Sequence, residues 1–319
     1  MNRIMKLTFE EIKSITTGSI KTVETEKGIE FFKCTEKQIE AFKAKNEGFY
    51  KRSLATTGVR LDFVTDSEFV EFLVGEGHYE LFVDELLVKQ YTSEEDIEDK
   101  YELDGKEHRV TLYLPCHGWG VVKSLALSDG AKFARPKYDT KILFIGDSIT
   151  EGYNSGKDSM CFSHVVSRHF NADSLIQAVG GAYYDITTFD ADVDFEPDTV
   201  FVAYGTNDWG MYKDYDLFYK NLCEHLDLLL ERYKGKKFYG ITPIWRVNVN
   251  EEKEIGVTFA ELREVIRKEL EKRGIIHLDG YKMVPHSAEY FEDNVHPNAE
   301  GFYQYSINIL KEIDRASKL

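Results

Sequence analysis

Four short stretches carry residue types that together could attack a carbonyl carbon and stabilise the charge that results. In "ILFIGDSITEG" (142–152) an apolar run stops at Gly146-Asp147-Ser148, which offers a hydroxyl nucleophile. In "QAVGGAYYD", Gly180 or Gly181 could bring a backbone N–H close to a ligand, because neither carries a β-carbon. In "YGTNDWG" the side-chain amide of Asn207 could donate to a developing oxyanion, a role that contributes ~3 kcal/mol where it has been measured. In "FEDNVHPNAEG", Asp293 and His296 lie three apart, so one loop could hold an imidazole by Nδ1 and leave Nε2 facing a serine.

Singly, each stretch has an ordinary structural explanation. Ser148 suits an N-cap, the glycine pair suits a turn, Asn207 or Asp208 suits a helix start, and Pro297-Asn298 opens the last helix. The Gly-x-Ser-x-Gly elbow is not matched, since Thr150 stands two after Ser148. What points to a single site is the conjunction: each stretch follows an apolar run or precedes a helix, where an open α/β sheet gathers ligand contacts at its carboxyl edge.

The elements that would position these residues follow from hydrophobic rhythm. From Gly18 to Ser128 the pattern has period two: Val59, Leu61 and Phe63, then Tyr79, Leu81 and Val83, then Val110, Leu112 and Leu114. Short alternating strands with frequent turns predict an antiparallel β-sandwich over residues 1–135, with "TEKQIEAFKAKNEG" a short helix or loop inside it. After the linker-like "SDGAKFARPKYDTK", apolar runs alternate with helical patterns. "KILFIGDS", "SLIQAVGG", "TVFVAYGTND", "KKFYGITPIW" and "GIIHLDG" read as strands. Thr258 with Glu261 forms a capping box ahead of a helix that Gly274 closes. Residues 136–319 are therefore expected to fold as a parallel sheet with helices on both faces.

Composition narrows the partners. Against 40 Lys+Arg stand 56 Asp+Glu, a formal charge of -16, so nucleic acid and anionic membrane are poor partners and a neutral substrate fits better. No segment approaches the roughly 20 apolar residues of a membrane span. The amino terminus lacks a signal-peptide pattern, and Cys34, Cys116, Cys161 and Cys223 show no metal or redox spacing. Reduced thiols, a cytoplasmic location and no metal are expected.

The residues resemble the SGNH (GDSL-type) hydrolase family, whose four motif blocks match in order: Gly146-Asp147-Ser148, Gly181, Gly205-Thr206-Asn207-Asp208, and Asp293 to His296. The resemblance implies a flavodoxin-like three-layer domain and a serine esterase without cofactor. Ser148 would be the nucleophile, His296 the base and Asp293 its orienting acid. The N–H groups of Ser148 and Gly181, with the Asn207 side chain, would form the oxyanion hole, Gly180 competing with Gly181. The sandwich ahead of this domain, jelly-roll-like, also resembles carbohydrate esterase family two and its relatives, through "TTGVRLDFVTDS" and "HRVTLYLPCHGWG". That second resemblance implies removal of short acyl groups, O-acetyl above all, from a saccharide.

Asp147, Tyr183, Trp209 and Trp245 are the candidate pocket residues, core packing being the competing explanation for the aromatics. His286 is the rival base, without a carboxylate at short spacing. Other readings share or abandon the chemistry: a thioesterase or lipid acylhydrolase, acyl transfer to a sugar, or a non-catalytic carbohydrate-binding protein. A homo-oligomer is compatible with the sequence, which does not fix the oligomeric state.

Overall fold

The computed structural model describes residues 4–316 and divides the chain into two compact units. Residues 1–35 with 54–138 form one; residues 36–53 with 139–319 form the other.

The first unit contains two antiparallel sheets. One runs in the order Lys21–Thr25, Gly28–Phe32, Val121–Ser128, Phe69–Val74, Ile97–Glu102, and the other Phe133–Ala134, Arg60–Thr65, His108–Tyr113, Gly77–Val83, Leu86–Ser93. The alternation seen in sequence puts Leu61, Phe63, Leu81, Val110 and Leu112 from the second sheet into one core with Val70, Phe72, Val122 and Leu125 from the first. The expected linker is no free tether: Phe133–Ala134 pairs with Arg60–Thr65, and the Tyr138 hydroxyl donates to Asp62 at 2.7 Å.

The second unit begins with a helical hairpin: α1 (Glu36–Lys45), in the stretch read as a short helix or loop, and α2 (Glu47–Ser53), for which the sequence offered no element. Its parallel sheet has five strands: β1 (Thr140–Gly146), β2 (Ala172–Ala178), β3 (Thr199–Ala203), β4 (Lys237–Ile241) and β5 (Ile276–Leu278). Their order is β2-β1-β3-β4-β5, so the chain steps outward from β1 to β2 and then crosses back to β3, leaving the topological switch point between β1 and β3. All pairings are parallel, and β1, an interior strand between β2 and β3, is buried through Ile142–Ile145. The connecting helices include α3 (Ser148–Glu151), α4 (Phe162–His169), α5 (Asp208–Met211), α6 (Tyr215–Arg232), α7 (Phe259–Lys272) and α8 (Ala299–Ala316). The Thr258–Glu261 capping box starts α7, with Thr258 Oγ1 accepting from Glu261 N and Glu261 accepting from Thr258 N. In α6 the buried stripe runs through Phe218, Leu222, Leu226 and Leu229, while Tyr219 lies at the surface.

Among the described residues no helix is long and apolar enough to cross a membrane. All four cysteines are free thiols.

Candidate active site

Ser148 owes its place to the abrupt end of β1. A β-carbon on Gly146 would overlap the Thr150 hydroxyl, so glycine lets α3 fold back directly over the strand end. Asp147 caps that turn, its Oδ1 accepting from Ile149 N at 2.9 Å, and Gly152 ends it in the left-handed region at φ 87°. The result lifts the Ser148 hydroxyl off the sheet.

The opposite wall is the loop before α8. Asp293 Oδ1 accepts from the backbone N–H of Val295 and of His296, each at 2.7 Å, so the carboxylate organises its own loop. Its Oδ2 lies 2.7 Å from His296 Nδ1, and His296 Nε2 lies 2.8 Å from Ser148 Oγ. A carboxylate only accepts, so Nδ1 carries the proton and Nε2 of a neutral ring accepts from the serine. Burial pushes the Asp293 carboxyl up, but the His296 and Val295 hydrogen bonds outweigh it and hold it below the usual range. The Asp293 side chain is 47% exposed, which leaves water on its outer side.

Asn207 follows β3 and joins the three strand ends. Its Nδ2 donates to Ala182 O at 3.0 Å, after β2, and to Asp147 Oδ2 at 3.3 Å, after β1. Gly205 ahead of it has φ 118°, and a β-carbon there would run into Ile266 and Pro243. Of the glycine pair, Gly181 alone has a positive φ, 84°. Gly180 has no positive φ; a β-carbon there would press on Arg52 Cδ at 2.8 Å and Glu151 Oε2 at 3.0 Å, side chains that would have to give way.

Behind these residues lie two buried carboxyls. Burial pushes Asp147 up to about 7 against the Ile149 hydrogen bond, with Glu151 adding to the rise. Burial also pushes Asp208 up to about 8, against hydrogen bonds from backbone N–H groups including that of Tyr184, and the charge of Asp147 raises it further.

The pocket candidates separate. Asp147 is interior, supporting Ser148 and Asn207 rather than lining a cleft. Trp209 is completely buried, its indole N–H donating to Val257 O at 2.9 Å and its ring tilted against Phe259, so it packs under the 250s loop instead of walling a pocket. Trp245 is partly buried, stacked on His286 at 5.5 Å and meeting Phe291 edge-on. Tyr183 is partly exposed, with Lys45 Nζ donating to its hydroxyl at 3.0 Å. The rival base, His286, has its Nε2 on Tyr281 O at 2.8 Å, far from the role of Nε2 in His296.

Two features escaped the sequence reading. Tyr153, 45% exposed, sets its ring edge-on to His296 at 4.9 Å; its closeness to Ser148 in sequence was the available signal. The α1–α2 hairpin packs on the loop after β2: Gln38 and Gln177 exchange amide hydrogen bonds, Lys45 pairs with Asp185, and Phe49 touches the Gly181 position. Among the described residues no group of three or more His, Cys, Asp or Glu could hold a metal ion.

Ser148, His296 and Asp293 thus stand in a hydrogen-bonded series at the carboxyl edge of the parallel sheet. Residues 144–303 match the GDSL-like lipase/acylhydrolase family, and the chain belongs to it; it is a carboxylic ester hydrolase. No curated protein matches the chain in sequence. Solved structures share the two-unit fold along the whole chain. One is a salicylyl-acyltransferase from a tetracycline biosynthetic pathway, 19% identical with a TM-score of 0.84, covering 100% of this chain and 98% of that one. Another is a family two carbohydrate esterase from Cellvibrio japonicus, 15% identical, TM-score 0.68, with 100% and 99% covered. A third is an acetyl xylan esterase from the rumen bacterium Butyrivibrio proteoclasticus, 15% identical, TM-score 0.66, with 100% and 99% covered.

Proposed function

We propose that this esterase removes short acyl groups, O-acetyl first among them, from a saccharide through an acyl-enzyme on Ser148. The observation that carries the reading is the series Asp293 Oδ2, His296 Nδ1 and Nε2, Ser148 Oγ, with both links under 3 Å. His296 Nε2 takes the proton as Ser148 Oγ attacks the ester carbon, and returns it to the departing alcohol. Water then repeats the sequence and releases the acid. Asp293 fixes the ring so that Nε2 stays the base.

The oxyanion is met by the N–H groups of Ser148 and Gly181 and by Asn207 Nδ2. In the resting site one Asn207 amide hydrogen is held weakly, at 3.3 Å, by a carboxyl that burial drives toward neutral, and that hydrogen is the one released to the oxyanion. The saccharide is supported by the carbohydrate esterases that share the fold over the full chain. A second reading, transfer of the acyl group to a hydroxyl, is favoured by the acyltransferase of the same fold; it differs only in what resolves the acyl-enzyme. Nothing in the polar "GYNSGKDSM" segment after the serine helix favours a lipid.

Hydrolysis of p-nitrophenyl esters from acetate to long acyl chains, with Ser148→Ala alongside, tests this. Turnover concentrated on acetate and lost in the variant supports the reading and leads to acetylated sugars. A long-chain optimum turns it toward lipids, and turnover that survives Ser148→Ala removes the nucleophile from the scheme.

A further inference from the structure

Arg246 is an anomaly that the proposed chemistry has not used. It is 8% exposed, and burial pulls its guanidinium below the ordinary arginine range, yet no carboxylate forms an ion pair with it among the described residues. The charges of Glu251, Asp293 and Asp147 offset part of that burial from beyond ion-pair distance, and the groups that it touches directly fix its orientation. Nη1 donates to the backbone carbonyl of Thr206 at 2.9 Å and approaches Thr206 Oγ1 at 3.4 Å; Nε donates to Asn248 Oδ1 at 2.7 Å. The guanidinium lies over Trp209, 5.4 Å from the ring centre, and over Phe259 at 5.8 Å. Thr206 is the residue before Asn207.

Its neighbours reach the other half of the site. Val247 N donates to Asn294 O at 2.9 Å, inside the Asp293–His296 loop. Trp245 packs edge-on against Phe291, which pairs with Pro297 directly after His296. Three consecutive residues after β4 therefore hold the turn that carries the oxyanion donor and the loop that carries the base.

We propose that Arg246 is a positioning residue: by gripping the Thr206 carbonyl from a rigid aromatic seat it fixes the direction of the Asn207 amide relative to the Asp293–His296 loop. The guanidinium suits the task because its planar fork spends Nη1 on Thr206 and Nε on Asn248 at once, which a lysine cannot reproduce. A one-ångström error in an oxyanion donor is felt in the transition state more than in substrate binding. The inference rests on the Asn207 role proposed above.

The test is a double-mutant cycle on the full chain with p-nitrophenyl acetate: wild type, Arg246→Gln, Asn207→Ala and the pair, with Arg246→Lys as the conservative variant and Ser148→Ala as the control. Expected are a ~10–100-fold loss of kcat in Arg246→Gln with KM within about twofold, and under about threefold further loss when Asn207 is already alanine. Arg246→Lys should recover only part of the loss. Equal losses in both backgrounds, or a change confined to KM, would overturn the assignment. Amide hydrogen exchange supplies a readout independent of turnover. Arg246→Gln should raise exchange at Gly205–Asp208 and at Asp293–His296 together, and unchanged protection in the first segment overturns the grip on Thr206. Turnover that survives Ser148→Ala would instead sink the catalytic reading, leaving the exchange result to judge Arg246.

Discussion

Two buried aspartates, one in each unit, show how the same side chain is treated when it holds structure and when it stands behind a site. In the sandwich, Asp62 is wholly buried, but Arg109 grips it through Nε at 2.9 Å and Nη2 at 2.8 Å, Tyr138 and Thr111 donate to it, and Arg60 lies 3.5 Å away. Burial pushes its carboxyl up, and those partners more than reverse the shift, so it stays ionised below the usual range. In the α/β unit, Asp208 is equally buried and no cation pairs with it among the described residues; its Oδ1 accepts from Tyr184 N, and burial takes it up to about 8. Arg246, the buried guanidinium of the same unit, spends its Nη1 on the Thr206 carbonyl. The sandwich keeps its buried aspartate ionised among cations, whereas behind Ser148 burial drives Asp147 and Asp208 toward the neutral form, where their protonation responds to the site.

The sharpest way to break this contrast is to remove Asp62. Asp62→Ala removes the carboxylate that Arg60, Arg109 and Tyr138 share, and the expected loss is about 3–5 kcal/mol of stability in urea unfolding. Esterase activity per folded molecule should stay within about twofold, because the change leaves the other unit's residues in place. A loss below about 1 kcal/mol would mean that the network is not holding the sandwich together, and the distinction between the two aspartates would fail.

Asp293 tests the other side. It is ionised, like Asp62, but half exposed and aimed at a histidine rather than an arginine. Asp293→Asn should leave the unfolding midpoint nearly unchanged and lower kcat by ~10²-fold, less than the ~10⁴ known for a fully buried triad aspartate, because water can partly replace a carboxylate that faces solvent. Retained activity would reduce the catalytic group to a serine–histidine dyad.

How far the sequence could show this difference depends on the range of the interactions. Ser148 and Asn207 were legible as candidates because each ends an apolar run, Asp293 and His296 because their short motif opens the last helix, and the five strands because β1 to β5 keep an apolar run. The sandwich was legible from alternation alone. The α1–α2 hairpin was not: its apolar residues, Ile39, Phe42 and Phe49, are few, and its partners Gln177 and Asp185 lie more than a hundred residues away. Trp209 looked like a pocket wall because nothing local reveals that Val257 will accept its N–H. Arg246 was invisible for the same reason: it bonds a backbone carbonyl, and any residue type could have stood opposite.

The finest probe of the comparison is pH. Asp208 has its folded value raised above the unfolded one of about 3.8, so the native state binds the extra proton. Its contribution to stability is then fully present below about pH 4 and declines as pH rises toward 8, the opposite sign to Asp62. Asp208→Asn removes the titration but keeps a carbonyl oxygen for Tyr184 N. Relative to wild type the variant should gain about 1–2 kcal/mol in urea stability between pH 6 and pH 8. Asp147, raised to about 7 by burial, is coupled to Asp208 by charge, so the difference reads the pair, and removing Asp208 eases the ionisation of Asp147 as well. A pH-independent difference would show that Asp208 stays ionised in the fold, and hence that a donor neutralises it as Arg109 does Asp62.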